Sequence, residues 1–405
     1  MNFETNLSSS INPTHVINEF FSGLTIALLL IPESIAFASI LGLPPMTGIH
    51  NTMIISFITS IIGGCPTLIS GSTAAVATSI VGVKTLLGAE FIIPTVILGG
   101  IFQILATVTG LYKYLSKIPK NIMSGFLVAL AGLIAVNQLE NFKTKDHEFF
   151  TGIKMANTIL FTLVSLGIAV YGVISFNVQL TKKDTNVIHI PGGLMAMFAI
   201  TAFIFAFYKY YDLVRVKDLG VMTPSLPSFQ IPKAEWTSPS NFMKMAPFSL
   251  SMAFAGLMES LIALKGVEDH LHIKANPFKE SLSQGIANIV SGFGGGFGGC
   301  VLVGQTRLNT DNGSTTQFSS IITSVLFIIL TMFLAPAVNE IPIAAIVGIM
   351  LLVVYKTGDW TALFTPQAFD KHWFVTLITI AVGFLSGNLS LGIVVGMVIN
   401  KLMGY

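Results

Sequence analysis

Two glutamates stand where a carboxylate is expensive to keep. Glu33 lies inside the apolar run 20–40, and Glu259 follows Ala255 and Gly256 inside another, 246–264. A charge at bilayer depth costs a few kcal/mol or more, so an acid there is a functional candidate by default. Either side chain can serve as a coupling-cation site, taking up a proton or, as a carboxylate, holding sodium. Each also has a plainer use. Glu33 can be a protonated, hydrogen-bonded acid that locks its segment to a neighbour, and Glu259 can be one half of a structural ion pair with Arg307.

The second chemical signal is a pair of similar strings, one in each half of the chain. Gly64-Cys65-Pro66 leads through Ile69-Ser70 to Gly71-Ser72-Thr73, with Ser72, Thr73 and Ala74 opening the third segment, and Gly299-Cys300 leads to Gly304, Gln305 and Thr306, which open the tenth. Each reads as a glycine-rich, extended lead-in followed by a short segment that opens on polar residues. Paired short segments in corresponding halves point to a transporter's midplane site. A helix that begins inside a membrane leaves its first N–H groups unpaired, and their partial positive charge, reinforced by the helix dipole, attracts an anion. Two such starts facing one another bind an anion without a basic side chain. Arg307 lies two residues beyond Gln305, about 200° around a helix, and is expected to point away from whatever Gln305 faces.

The elements that hold these residues follow from hydropathy. The chain of 405 residues is 53% hydrophobic and 10% charged, where soluble domains carry roughly a quarter charged residues, so its solvent is lipid. Spanning runs lie at 20–40, 90–110, 121–137, 156–177, 190–208, 246–264, 316–336 and 372–386. Shorter or glycine-broken ones lie at 48–63, 71–84, 281–294, 303–312, 342–354 and 388–403. This predicts an all-α integral membrane protein of about fourteen segments. One long polar connection, 209–245, carries Lys209, Arg215, Lys217 and Lys233 and divides the chain into seven segments on each side. An odd number per half inverts the second half relative to the first.

With the N-terminus inside, short cytoplasmic loops hold Lys113, Lys117, Lys120, Lys182, Lys183, Lys265, Lys274, Lys279, Lys356 and Lys371. The opposite loops hold Lys84, Lys143, Lys145 and Lys154. The excess follows the positive-inside rule and places both termini in the cytoplasm. Residues 1–17 then form a cytoplasmic segment, 18–208 the first repeat, 209–245 an extracytoplasmic connection and 246–405 the second repeat. No Lys or Arg occurs in the first eighteen residues, so the basic region of a cleaved signal is lacking. A formal net charge of +2 gives no sign of a nucleic-acid partner. Cys65 and Cys300 read as small packing residues rather than a disulfide, and the histidines, His147 among them, mostly fall near segment ends. His, Asp and Glu do not cluster at metal-ligand spacing, and no nucleophile–base pair appears. An enzyme, a metal site and a bound cofactor other than a coupling H+ or Na+ are therefore not expected.

At these residues the sequence resembles the sulfate permease (SulP) family of anion transporters. Ile31-Pro32-Glu33-Ser34-Ile35-Ala36-Phe37-Ala38, followed by Gly42-Leu43-Pro44-Pro45 and Gly48, is similar to the family's opening pattern. Ile69-Ser70-Gly71-Ser72-Thr73-Ala74 resembles its third-helix motif, Glu259-Ser260 its eighth-helix acidic position, and Gln284-Gly285-Ile286-Ala287-Asn288 the helix that follows. Gly298-Gly299-Cys300 through Gly304-Gln305 resembles the GGC-x-x-x-GQ signature of one bacterial branch. The resemblance covers about 18–403. It implies a 7+7 inverted repeat, shared with the uracil-permease-like fold, divided into a core domain (18–112 plus 246–338) and a gate domain (113–208 plus 340–405).

The same resemblance implies a secondary active transporter of a small inorganic oxyanion in the cell membrane. Sulfate comes first, with sodium-dependent bicarbonate transport and a passive channel or exchanger as alternatives. Substrate is expected at Glu33, Phe37, Ser72, Thr73, Ala74, Gly304, Gln305 and Thr306, cation coupling at Glu259 and Glu33, and a homodimer as the assembly. Two departures stand out. The chain stops at Tyr405, where most family members continue into a STAS domain, and Gln305 stands where some relatives carry arginine.

Overall fold

A computed structural model of the chain describes residues 13–115, 118–143, 148–171, 174–179, 185–190, 192–207, 210–211, 213–232, 235–364 and 371–403. Residues 1–12 of the expected N-terminal segment lie outside the described residues, as do Lys117, Lys145, His147, Lys182, Lys183, Lys209 and Lys233.

Fourteen helices of nine or more residues are found among the described residues, one for each apolar run of the sequence. The first seven are α1 (Pro13–Ile40), α2 (Pro45–Ile62), α3 (Ala74–Leu87), α4 (Ile92–Val108), α5 (Lys120–Asn137), α6 (Gly152–Tyr171) and α7 (Gly192–Ala206). The second seven are α8 (Pro239–Leu271), α9 (Pro277–Phe293), α10 (Val303–Asp311), α11 (Gln317–Asn339), α12 (Ile343–Thr357), α13 (Lys371–Leu385) and α14 (Leu389–Leu402). Six of the described helices are long and apolar enough to cross a membrane by themselves, and five more are apolar but shorter. Among the described residues there are four strands, β1 (Ser70–Ser72), β2 (Ile174–Gln179), β3 (Thr185–Ile190) and β4 (Gly299–Val301). Strands β2 and β3 form an antiparallel hairpin between α6 and α7. The apolar run 156–177 implies helix through Asn177, whereas β2 begins at Ile174. The alternation in Ile174-Ser175-Phe176-Asn177-Val178-Gln179 has the period of a strand, and α6 ends at Tyr171.

The long strap α8 ends on His272 in the left-handed conformation, φ 53°. Pro32 in α1 and Pro247 in α8 sit inside their helices. A proline there removes one backbone bond, and neighbouring helices make such breaks tolerable in a membrane. Helix α9 is inside out for a soluble protein. Glu280, Ser281, Gln284, Asn288 and Ser291 are buried, while Leu282, Ile286 and Ile289 are partly exposed. In lipid the polar stripe is the one that seeks partners.

Packing sorts the helices into two groups. In one, α1 lies against α2 and α11, α8 against α3, α4, α9 and α10, and α9 against α2 and α4. In the other, α5, α6, α7, α12, α13 and α14 pack on one another. The groups meet where α1 and α10 touch α12, α3 touches α5, and α8 touches α14. The connection between the halves is sewn to both. Val216 N–H donates to Ile341 O at 3.0 Å, and Ile343 N–H donates to Val214 O at 2.8 Å. Arg215 and Lys217 both hold Glu340, the lysine at 2.6 Å. Further along, Met222 exchanges two hydrogen bonds with Asn339, and His50 bonds Ser225.

Candidate anion site

The three residues of β1 and the three of β4 pair antiparallel, with Ser70 opposite Val301, Gly71 opposite Cys300 and Ser72 opposite Gly299. One strand comes from each half of the chain. Each leads straight into a short helix, β1 into α3 and β4 into α10. Because the strands run in opposite directions, α3 and α10 leave the pair in opposite directions. The N-terminal ends of both are therefore directed at the level of the strand pair.

The expectation that Ser72, Thr73 and Ala74 open the third helix is refined here. Ser72 belongs to the strand, Thr73 is the N-cap, and Ala74 is the first helical residue. Pairing with β4 is the reason, since backbone groups inside a bilayer need partners and extended chain finds them only in another strand. Neither helix start is capped by its own side chain: Thr73 and the N-cap of α10, Leu302, make no side-chain cap bond. The first N–H groups of α3 and α10 thus keep their partial positive charge directed at the crossing.

Close approach here depends on glycine. A Cβ at Gly299 would run into the carbonyl of Gly71, and Gly298 takes φ +81°, where L side chains are strained. Buried amides hold the crossing on both sides. Asn51 on α2 donates to Gly298 O (2.7 Å) and to Ser72 Oγ (2.8 Å), and accepts from Gly298 N (2.8 Å) and from the Ser291 hydroxyl. Asn288 on α9 donates to Gly299 O (3.0 Å) and to Gln103 Oε1 (2.8 Å), and accepts from Gly299 N (2.8 Å). Thr52 and Ser34 extend the network to α1: Thr52 Oγ1 lies 2.7 Å from both Ser72 Oγ and Ser34 Oγ. Asn51, Thr52 and Gln103 were not singled out from the sequence. Their signal was available, as amides and a hydroxyl inside apolar runs, the same reasoning that marked Glu33.

Both acids reach the crossing. Glu33, 3% exposed, accepts a hydrogen bond on Oε1 from Gln305 Nε2 across the gap between α1 and α10. Its Oε2 is buried without a hydrogen-bond partner. Phe37 is buried one turn further along α1. Glu259 Oε2 accepts from the Cys300 thiol at 3.0 Å, and the sulfur is 3.1 Å from Thr73 Oγ1. The ion pair weighed for Glu259 with Arg307 is not formed. Arg307 stands outside, its side chain 83% exposed and 3.9 Å from Asp311, because it lies on the opposite face of α10 from buried Gln305. Thr306 accepts the N–H of Ile69 at 3.0 Å, and so ties α10 to the approach of β1. Gly304 is exposed with open space where a Cβ would be, while Gln305 and Thr306 beside it are buried.

A predominantly helical bilayer fold of two seven-helix series, each interrupted by a strand and a short helix at a shared crossing, defines the class of inverted-repeat membrane transporters. The particular family follows from comparison. The model of the sulfate permease family matches residues 16–380, and the chain belongs to that family.

The chain is 31% identical over 390 residues to a Bacillus subtilis (strain 168) protein named "Putative sulfate transporter YbaR", covering 95% of this chain and 76% of that one. It is 24% identical to the bicarbonate transporter BicA of Picosynechococcus sp. (strain ATCC 27264 / PCC 7002 / PR-6), over 94% of this chain and 69% of that one. Among solved structures, the transmembrane domain of a cyanobacterial BicA superposes with a TM-score of 0.75 at 20% identity, covering 94% of this chain and 97% of that domain. Murine Slc26a9 in the inward-facing state gives the same TM-score at 15% identity, covering 99% of this chain and 73% of that one. At those identities the likeness concerns the fold.

Proposed function

We propose that the chain is a secondary active transporter of a small inorganic oxyanion, with sulfate as the first substrate and bicarbonate as the second. One observation carries the reading: two helix starts without a side-chain cap, from α3 and α10, are directed at one buried crossing, with neutral donors around it and, among the described residues, no basic side chain bonded there. Family membership supports an anion, the resemblance to YbaR supports sulfate, and the resemblance to BicA supports bicarbonate as the second reading.

The two acids give the reading its coupling. A carboxylate beside an anion repels it, and the repulsion is strong in a low-dielectric interior. A proton or sodium ion taken up with the substrate removes the conflict and ties the two fluxes together, which makes the protein a symporter. Glu33 Oε2, buried and unpartnered, is the oxygen on which a proton adds a donor at the crossing. The group of α1–α4 and α8–α11 serves as the moving core and the group of α5–α7 and α12–α14 as the gate, so that substrate crosses in an elevator-like motion. The cell membrane is the site of action, with both termini cytoplasmic, and two copies form the working unit.

The test is uptake of labelled sulfate into liposomes holding the purified protein, under an inward proton gradient, a sodium gradient or neither, with bicarbonate and chloride as competitors. Accumulation above equilibrium under one gradient identifies a symporter and its cation. Equilibration without accumulation under every gradient would replace the reading by an exchanger or a channel, which cannot concentrate its solute. Glu259→Gln should uncouple uptake from the gradient, and unchanged gradient dependence would remove the coupling role.

A further inference from the structure

Cys300 lies between the N-cap of α3 and the acid of α8. It is the middle residue of β4, completely buried, with its sulfur 3.0 Å from Glu259 Oε2 and 3.1 Å from Thr73 Oγ1. Gly256 on α8, one turn before Ser260, makes room for Gln103, whose Nε2 a Cβ there would meet at 2.8 Å, with the Cβ of Cys300 at an ordinary contact distance of 3.5 Å. Thr73 does not use its hydroxyl to cap α3. Its hydrogen bond is to the sulfur.

A thiol has one hydrogen and can donate in one direction at a time. When Glu259 is a carboxylate it can only accept. The S–H then points to Glu259, and the Thr73 hydroxyl spends its own hydrogen on the sulfur. When Glu259 is protonated, its O–H can donate to the sulfur. The S–H then turns to Thr73 Oγ1, and the Thr73 hydrogen is displaced toward the level where the N–H groups of α3 and α10 converge. No covalent bond changes except the one formed by the arriving proton at Glu259.

We propose that Cys300 is a positioning residue that reverses the hydrogen-bond chain Thr73–Cys300–Glu259, so that Thr73 offers its hydrogen to an anion only when Glu259 is neutral. The proposal rests on the reading of the crossing as an anion site and specifies how occupancy of one acid is transmitted to it. Other titratable groups on the elements packed against α8 are engaged elsewhere or exposed. Arg307 and Asp311 on α10 face each other, Glu280 on α9 holds Gly64 N–H and Gln284, and Lys84 on α3 caps α1 through Leu41 O. Lys279 on α9 and Lys401 on α14 are exposed. The titratable partner bonded to Glu259 is Cys300.

The chain holds two cysteines, so Cys65→Ala leaves one S–H oscillator, and its infrared stretch reports what the thiol donates to. At alkaline pH the band should lie low, as for a bond to a charged acceptor, and Thr73→Val should leave it in place. In the Glu259→Gln background, where the amide donates to sulfur, the band should move up, and Thr73→Val should then shift it further toward the free-thiol position. A Thr73→Val effect that is equal in both backgrounds, or absent from both, overturns the relay. In liposomes, Cys300→Ser, which keeps one hydrogen and an acceptor, should retain proton-driven accumulation. Cys300→Ala should lose accumulation while still passing anion downhill, and accumulation equal to the parent protein would also overturn the relay. Should the parent protein move no oxyanion at all, the transport reading fails, and the infrared comparison still decides the relay.

Discussion

Asn51 and Asn288 grip neighbouring peptide units of the same strand approach from opposite sides. Asn51 makes a two-bond clasp on Gly298 and Asn288 makes one on Gly299. Each asparagine uses its amide as a backbone mimic, donating to the carbonyl and accepting from the N–H. Because α2 and α9 occupy corresponding places in the two repeats, the crossing is held by one clasp from each.

Replacing Asn51 by Ala removes both bonds to Gly298 and leaves its N–H and carbonyl without their partner in the interior. At about 1–3 kcal/mol for each orphaned group, the loss should be roughly 3 kcal/mol. Thermal melting in detergent should show a clearly lower midpoint for Asn51→Ala, with a smaller drop for Asn51→Asp, which keeps the acceptor. Equal midpoints for all three proteins would mean the clasp is dispensable.

Exchanging charge across the Glu33–Gln305 contact tests whether it lies at the substrate. Gln305→Glu sets two carboxylates against each other, and apparent affinity for sulfate should fall tenfold or more, about 1.4 kcal/mol. The double exchange Glu33→Gln with Gln305→Glu restores one acid and one amide and should recover most of the lost affinity. A double variant as poor as the single one would show that the position of the acid, and not the pairing, is what matters.

Glycine should matter very differently at two places only five residues apart. Gly299→Ala drives a methyl into the carbonyl of Gly71 and should give no monodisperse protein on size-exclusion chromatography. Gly304→Ala meets open space and should fold normally, while its methyl narrows the mouth of α10 and raises KM about tenfold or more. A Gly304→Ala protein with parental kinetics would move the substrate away from that mouth.

At the solvent-accessible C-terminal end of α11, the Lys217 ammonium and then the Arg215 guanidinium hold the Glu340 carboxyl below the usual carboxylate range. With the folded value depressed, the stabilisation is present above the ordinary carboxylate pKa and lost as pH falls through the folded value. Glu340→Gln should therefore melt below the parent at neutral pH and converge with it in acid. Lys217 and Glu340 are 39% and 30% exposed, so the gap should be small and should shrink in high salt. A gap that persists at low pH would assign the effect to packing.

Much of this architecture is legible in hydropathy, because a bilayer permits few solutions. Each apolar run became one helix, and even the nine-residue α10 was marked by its polar opening at Gly304-Gln305-Thr306. The strand pair was not legible in the same way. Ser70-Gly71-Ser72 and Gly299-Cys300-Val301 are too short to show a period, and their pairing joins residues more than two hundred positions apart. The Cys300 contact was hidden for the same reason. A cysteine in an apolar setting reads as packing until the carboxylate brought beside it by another helix is known. Glu33 and Glu259 could be marked as costly from sequence alone, while their partners, Gln305 and Cys300, are set by tertiary structure.

The pairing of β1 with β4 also fixes an order of events during synthesis. Strand β1 enters the bilayer long before its partner has left the ribosome, and three residues of extended backbone have no other strand to complete them. Until Val301 arrives, the first repeat has to shelter those groups with water, lipid headgroups or the insertion machinery. The crossing is thus completed only after α8 and α9 have been made, and a chain interrupted before β4 carries the cost of an open crossing without the means to close it.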